Sequence, residues 1–253
     1  MANKLKYFIG NWKMYGSPKS LNVLLRVNRF LSKNRNIRKN TKIIFCVPYT
    51  LINNFSKKIQ NKLVKIGAQN CHHEEKFAAH TGSINAIMVK KSGANFIILG
   101  HSDNRNEGDT NFIINKKIAS AIKQNLNVIF CIGENAKEKK AKRTLAVLKK
   151  QIKESLYKKF KNKKIIIAYE PVWSIGTGKT PKLHDLKNIV SFIKSEYKKI
   201  YKNENTPVLL YGGSVNAKNV TLFSTIKEID GFLIGGASQS SKNFIDIIKN
   251  YYK

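Results

Sequence analysis

The sequence predicts an α/β protein, a (β/α)8 barrel of eight parallel strands ringed by helices. Eight short β-rich apolar runs recur along it, segments with helical spacing separate them, and 253 residues is the length of one such barrel. The first strand is Lys6–Asn11. Ser17-Pro18 then gives an N-cap followed by proline at the first helical position, ahead of Leu21, Leu24, Leu25, Asn28 and Leu31 at 3.6-residue spacing. Lys42–Val47 and Val64–Gln69 are the second and third strands. Asn95–Gly100 is the fourth, followed by a helix face of Ile113, Lys117, Ala121 and Ile122. Asn127–Ile132 is the fifth, with Leu145, Leu148, Ile152 and Leu156 behind it. Lys164–Tyr169 is the sixth, and the helix Lys182–Tyr201 presents Ile189, Ile193 and Tyr197. Pro207–Tyr211 and Gly231–Gly235 complete the set, and Asn243–Tyr252 closes the chain with Ile245, Ile248 and Tyr252 on one face. Several runs are continuous rather than alternating, as strands covered on both faces should be. An open doubly wound sheet calls for fewer strands and a glycine fingerprint after the first, where this chain has Asn11-Trp12-Lys13. With no linker, low-complexity block or strict repeat, residues 1–253 read as a single barrel domain.

Composition narrows the function classes. The hydrophobic share of 42% is that of a chain folding around a core, which excludes a disordered basic tail. No apolar run approaches the roughly 18 residues of a membrane span. The opening stretch MANKLKYFIGNWKM is too short and too interrupted for a signal peptide, so no membrane partner is expected. Cys46, Cys71 and Cys131 are odd in number, far apart and in no CxxC pair, which fits reduced thiols and a cytoplasmic location. The 47 basic and 15 acidic side chains leave a formal charge of +32. The cations are mostly lysines spread along the chain, as at Lys57-Lys58, Lys116-Lys117 and Lys149-Lys150, while arginine is scarce. With asparagine and isoleucine also plentiful, this is the bias an AT-rich coding sequence would give. A solvated surface is therefore favoured over a selected nucleic-acid surface, and nucleic acid enters only as a weak, non-specific partner. The field should still draw in anionic ligands.

Catalytic groups in such a barrel belong at the C-terminal ends of its strands. Those ends offer Asn11 and Lys13, Asn70, His101, Glu134, Glu170, Gly212-Gly213-Ser214 and Gly235-Gly236. A carboxylate, an imidazole, a cation and two glycine-rich turns on one face form a set for proton transfer on a small anion. Glu170 reads as a general base under an apolar lid, with a carboxylate capping a barrel layer as the alternative. His101 reads as its electrophilic partner, against a structural loop histidine. Lys13 gains weight only from its place just beyond the first strand, and Asn11 could instead cap the loop backbone. Gly176-Thr-Gly-Lys-Thr180 resembles a phosphate-binding loop, but Trp173 stands where its first glycine should be, so no nucleotide is expected there. Cys71-His72-His73-Glu74 looks like a metal cluster but has no further ligands at zinc spacing, so no metal is expected. Cys131 reads as a small core hydrophobe.

Asn11-Trp-Lys13, Gly67-Ala-Gln-Asn70, Ala79-His-Thr-Gly82, Leu99-Gly-His101-Ser, Cys131-Ile-Gly-Glu134, Tyr211-Gly-Gly-Ser214 and Gly235-Gly-Ala-Ser238 stand in the order of the triosephosphate isomerase family. The long string Ala168-Tyr-Glu170-Pro-Val-Trp-Ser-Ile-Gly-Thr-Gly-Lys179 is highly specific, and the chain resembles that family almost from end to end. The resemblance implies a TIM barrel that interconverts dihydroxyacetone phosphate and D-glyceraldehyde 3-phosphate in glycolysis and gluconeogenesis, with no cofactor and no metal. The family is itself the standard example of a glutamate base with a neutral histidine electrophile. By position these would be Glu170 and His101, with Lys13 supplying positive charge and Asn11 placing the oxygens. The phosphate would sit on backbone N–H groups of Gly176, Ser214, Gly235 and Gly236. Residues 171–180 would form the lid, Ile175 and Leu233 closing over Glu170.

A homodimer is implied as well, with Thr81 reaching into the neighbouring subunit. The chain departs from the family pattern in three places. Ser102-Asp103-Asn104-Arg105 replaces Ser-Glu-Arg-Arg, Ser83 replaces an acidic residue beside the dimer contact, and the loop after Arg105 is about one residue short. The rival readings are another phosphate-binding barrel isomerase and a basic nucleic-acid-binding protein on an inactive barrel. The first would use aspartate or cysteine acid–base pairs. The second would require a lost base or electrophile, and Glu170, His101 and Lys13 are all present.

Overall fold

The eight strands close on themselves in chain order, every neighbouring pair parallel and β1 bonded to both β2 and β8. They are β1 (Lys6–Asn11), β2 (Thr41–Cys46), β3 (Val64–Ala68), β4 (Phe96–Leu99), β5 (Asn127–Ile132), β6 (Ile165–Tyr169), β7 (Val208–Tyr211) and β8 (Gly231–Ile234). This is a computed structural model, and it describes residues 5–59, 62–160, 165–202 and 206–253. Helices lie between the strands and ring the barrel. The predicted strands differ from these by at most a residue at either end, and Lys164, the expected start of the sixth, lies outside the described residues.

Strand residues alternate between two cores. Ile9, Ile44, Cys46, Phe96, Ile98, Ile129, Cys131, Ile166, Ala168, Leu210 and Leu233 fill the lumen. Their neighbours, such as Phe8, Ile43, Ile97, Phe130, Ile167 and Leu209, pack outward against the helices. Apolar cover on both faces is why the strands read as continuous apolar runs. Among the described residues, no helix is long and apolar enough to cross a membrane.

Three helical expectations need correction. Pro18–Ser20 is a separate 3-10 turn with a Ser17–Ser20 capping box, and the α-helix proper is Leu21–Lys33. Its buried face is Leu24, Val27 and Leu31, while Leu25 points out at 38% exposure; in the helix Thr144–Ser155, Leu145 likewise points out at 45%. A 3.6-residue period admits neighbouring faces, and strand contact decides between them. In the helix Asn111–Lys123 the buried face keeps Lys117 and Ala121 but takes Ile114 and Ile118 in place of Ile113 and Ile122. Lys117 can lie inside because its ammonium bonds both oxygens of Asp109 at 2.7 Å and Asn70 Oδ1 at 3.0 Å. A buried cation is tolerated when it is paired and hydrogen-bonded.

Two glycines set how closely β5, β6 and β7 meet at their C-terminal ends. A Cβ on Gly133 would lie 1.7 Å from the Glu170 carbonyl oxygen, and one on Gly212 would lie 2.6 Å from Glu170 Cγ. No side chain fits either gap, so the backbone and stem of Glu170 occupy space that only glycine leaves free. Gly133→Ala should therefore overpack a rigid strand end and destabilise the fold by about 1–3 kcal/mol. Thermal melting followed by circular dichroism should fall by roughly 2–4 °C per kcal/mol. An unchanged melting temperature would show that the strand ends can spread.

Candidate active site

The C-terminal mouth of the barrel holds a cavity of about 230 Å³. Asn11, Lys13, His101, Glu170, Gly176, Ser214, Gly235 and Gly236 all line it, so the structure brings together every residue singled out from sequence for catalysis or substrate binding. Ile175 and Leu233 line it too, with Gly212, Gly213, Val215 and Ala237. Two other strand-end candidates turn away into structural bonds: Asn70 accepts from Lys117 and from the Cys71 N–H, and Glu134 binds the segment after β6.

β1 delivers Asn11 and Lys13. Buried Asn11 accepts the Lys13 N–H on Oδ1 at 3.1 Å, across a turn in which Lys13 itself takes φ +53°. That left-handed conformation costs a side-chain-bearing residue of order 1–3 kcal/mol and persists only where the surroundings impose it. Trp12, fully buried between the two, donates its indole N–H to the Ser238 carbonyl at 3.1 Å and ties β1 to the turn after β8. The Lys13 ammonium lies 3.1 Å from Asp103 Oδ2, so the shorter acid at this position still reaches its partner.

His101 caps the helix Ser102–Asn106, its Nδ1 accepting the Asp103 N–H at 3.0 Å. With Nδ1 an acceptor, the ring proton of the neutral imidazole sits on Nε2. Nε2 lies 3.4 Å from Glu170 Oε1, and both side chains are 5% exposed. Glu170 Oε2 is buried without a hydrogen-bond partner. An acceptor taken out of water and left unpaired is costly. Burial pulls the His101 pKa down, but the Glu170 carboxylate, its hydrogen bond and Asp103 outweigh burial and Lys13, so it is raised. Cys131 faces the same carboxylate from β5; burial first, then Glu170, keep its thiol protonated, as a core hydrophobe requires.

The segment after β6 turns over the cavity. Val172–Ser174 form a 3-10 turn, and Trp173 donates its indole N–H to Glu134 Oε1 at 2.7 Å. Tyr169 donates its hydroxyl to the same carboxylate, at 3.1 Å to Oε2, and the Lys139 ammonium sits over the Trp173 ring. Burial raises the Glu134 pKa, opposed by the bonds from Trp173, its own backbone and Tyr169 and by Lys139. Ser174 Oγ donates to the Lys179 carbonyl at 2.6 Å and accepts the Ser214 N–H at 3.3 Å. Residues 176–180 thus belong to a tethered cover, with Gly176 and Gly178 at positive φ, and not to a nucleotide loop. Sequence reasoning placed Glu134 at a strand end but gave it no task; the partnering Trp173 and Tyr169 were the available signal.

Cys71, His72, His73 and Glu74 form no metal site: among the described residues, no group of three or more histidines, cysteines or carboxylates is placed to hold an ion. Cys71 is buried, its thiol pushed up to about 12 by burial despite Lys117, while the His72 ring stacks on His73.

A sequence profile of triosephosphate isomerase matches residues 6–251. The chain is 38% identical over 250 residues to triosephosphate isomerase of Dictyoglomus thermophilum, a match covering 97% of this chain and 99% of that protein. It is 37% identical over 245 residues to that of Alkaliphilus oremlandii, covering 94% and 96%. The crystal structure of triosephosphate isomerase from Bartonella henselae superposes with a TM-score of 0.86 at 31% identity, covering 98% of this chain and 99% of that one.

Two measurements check the site's electrostatics. Glu134→Ala would leave the buried Tyr169 hydroxyl and the Trp173 indole N–H unpaired, at about 1–3 kcal/mol for each buried group. The melting temperature should fall and Trp173 emission should shift to the red as the cover loosens; unchanged emission would mean that Glu134 is no anchor. A raised His101 pKa stabilises the fold below the unfolded value of about 6.5 and loses that stabilisation as pH rises through the folded value. The stability difference between the wild type and His101→Gln should therefore shrink as pH rises through that window. A difference independent of pH would show that His101 does not titrate as its neighbours require.

Proposed function

The chain belongs to the triosephosphate isomerase family, and from that premise we propose how its own residues interconvert dihydroxyacetone phosphate and D-glyceraldehyde 3-phosphate. The carrying observation is the buried pair of His101 Nε2 and Glu170 Oε1, 3.4 Å apart, with Glu170 Oε2 left without a partner. That oxygen takes a proton from the substrate carbon beside the carbonyl. The C–H electron pair becomes a C=C bond, and the carbonyl oxygen becomes the enediolate oxygen, held by the His101 Nε2–H and by Lys13. Asn11 places the substrate oxygens. His101 Nε2–H gives its proton to that oxygen and takes the proton of the neighbouring hydroxyl, while Glu170, now a neutral acid, returns its proton to the neighbouring carbon, and the deprotonated oxygen becomes the carbonyl.

Proton transfer also settles the histidine's charge. The influences that raise the His101 pKa come chiefly from the Glu170 carboxylate. Once Glu170 holds the proton, burial and Lys13 dominate and favour neutral imidazole, which donates to the enediolate from Nε2. The Asp103 N–H aimed at Nδ1 opposes a second ring proton throughout.

The phosphate lies at the glycine-rich edge, on N–H groups of Gly176, Ser214, Gly235 and Gly236, where a 3-10 turn opens at Gly236–Gln239. Ser174 Oγ accepts the Ser214 N–H at 3.3 Å. Phosphate takes that donor, releases Ser174, and so links substrate arrival to movement of residues 171–180. Ile175 and Leu233 then exclude water from the enediolate, which would otherwise lose phosphate.

One barrel domain over residues 1–253, located in the cytoplasm, would act as half of a homodimer. Met14 at 95%, Tyr15 at 59% and Phe77 at 66% exposure leave apolar surface in water on the segments after β1 and β3. The second of these carries Thr81, and a second copy would cover them.

Three tests follow from this reading. Glu170→Asp should lower turnover by about two to three decades, since a roughly 1 Å misplacement can cost about 10²-fold. Glu170→Gln should abolish it in an assay coupled to a dehydrogenase, and wild-type turnover in either variant removes Glu170 as the base. Sedimentation velocity should give a dimer at moderate salt, with weaker association at low salt, where two chains of +32 repel more strongly. A monomer at every salt concentration would overturn the dimer.

A further inference from the structure

Beside the mouth cavity, but not lining it, lies an arginine bonded to the turn that carries the imidazole. Arg105 is on the helix that His101 caps, and its side chain folds back beneath that turn. Nε donates to the Gly100 carbonyl at 2.7 Å, the peptide immediately before His101. Nη2 donates to the Cys131 carbonyl at 3.3 Å, at the end of β5 facing Glu170. Nη1 donates to Asn111 Oδ1 at 2.7 Å, and Asn111 in turn donates to Glu154 Oε2 at 2.8 Å. Among the described residues no carboxylate pairs with the guanidinium directly; its partners are two backbone carbonyls and an amide oxygen. Gly100 holds φ +75°, and a Cβ there would meet the Cys131 carbonyl at 3.1 Å and Arg105 Nη2 at 3.2 Å. The clamp is therefore as tight as the backbone allows.

β4 ends at Leu99, so the peptide that aims His101 lies beyond the β4–β5 ladder, whose last register pair is Leu99 with Phe130. The Arg105 fork spans that gap by itself, one arm on each strand end. We propose that Arg105 is a positioning residue for the isomerisation: its guanidinium fastens the His101 turn to the end of β5 and so sets the separation of imidazole and Glu170. The inference rests on the assignment of His101 and Glu170 given above. A residue that served only to finish the short helix would affect stability and leave the rate per folded molecule alone. A clamp acts on kcat, because the imidazole donates to charge that develops in the transition state.

The test is Arg105→Ala and Arg105→Lys in the full chain, with activity expressed per folded molecule from circular dichroism. Arg105→Ala should lose about 10–100-fold in kcat with KM within about threefold, the scale of a misplaced catalytic group. Millimolar guanidinium ion, which fits the space vacated, should restore a large part of that kcat. Arg105→Lys should fall between, since one ammonium cannot hold all three acceptors in the fork's geometry. A folded Arg105→Ala with kcat within twofold of wild type, or one that guanidinium does not rescue, overturns the proposal. If Arg105→Ala does not fold, Asn111→Ala decides: it frees the outer arm, and a severalfold loss of kcat at constant KM is expected, with an unchanged kcat overturning the clamp. Glu170→Gln, assayed alongside, separates the two readings. Turnover retained there removes the base, whereas an inactive Glu170→Gln beside an unimpaired Arg105→Ala removes only the role of Arg105.

Discussion

Glu170 is buried with one oxygen beside His101 and the other unpartnered, and the strand ends around it are built to hold it there. A carboxylate with one acceptor oxygen held out of water and unpartnered would leave for water if it could. It cannot leave because its backbone is fixed on two sides: the Glu170 N–H donates to the Ile132 carbonyl, and the Gly212 N–H donates to the Tyr169 carbonyl. Gly133 and Gly212 remove the side chains that would push it away, and Pro171 restricts the chain just beyond it. Only a closed barrel brings β5, β6 and β7 together at this spacing with no edge to relax. The position of this buried carboxylate is thus a product of the architecture, held by contacts remote from the reaction.

The segment that covers this carboxylate begins at its own neighbour. Trp173 and Ser174 follow Glu170 by three and four residues, so movement of the cover and placement of the base are mechanically linked. Glu134 holds one end through Trp173, and Ser174 holds the other through Ser214 and Lys179. The Ser214 bond is the longest of these, and it uses a donor that the proposed phosphate site would claim. An incoming ligand therefore has a specific interaction to replace, which is what allows a binding event to shift a conformational equilibrium.

The architecture and the site were legible in the sequence for different reasons. β5 was readable to the residue because its continuous Val-Ile-Phe-Cys-Ile run reflects burial on both faces, a constraint written directly into composition. Site residues were readable because strand order brings strand ends together: once Asn11, His101 and Glu170 are placed at the ends of β1, β4 and β6, the barrel does the rest. The helix faces were less clear. Lys117 fell on the apolar spacing although it is a lysine, and its burial depends on Asp109 and Asn70, which the chain supplies from elsewhere. Arg105 and Glu134 act through backbone carbonyls, an amide and an indole, and no spacing rule announces such partners. What sequence lacks is the direction in which a long polar side chain folds.

The formal charge of +32 and the site's own charge belong to different physical regimes. Exposed lysines separated from the mouth by more than about 8–10 Å are screened at physiological salt, so they act on the rate of encounter with an anion and hardly on its bound geometry. Lys13 is the cation lining the mouth cavity, and it is held by a left-handed backbone turn, by Asn11 and by Asp103. A point charge on a flexible stem would otherwise sample many positions; here its start is fixed by the backbone and its end by a carboxylate. The Asp103 residue that steadies Lys13 also lends its N–H to His101, so one short turn sets both the positive charge and the imidazole tautomer. A single lysine in a defined place therefore puts positive charge at the mouth in a way that dozens of scattered ones cannot.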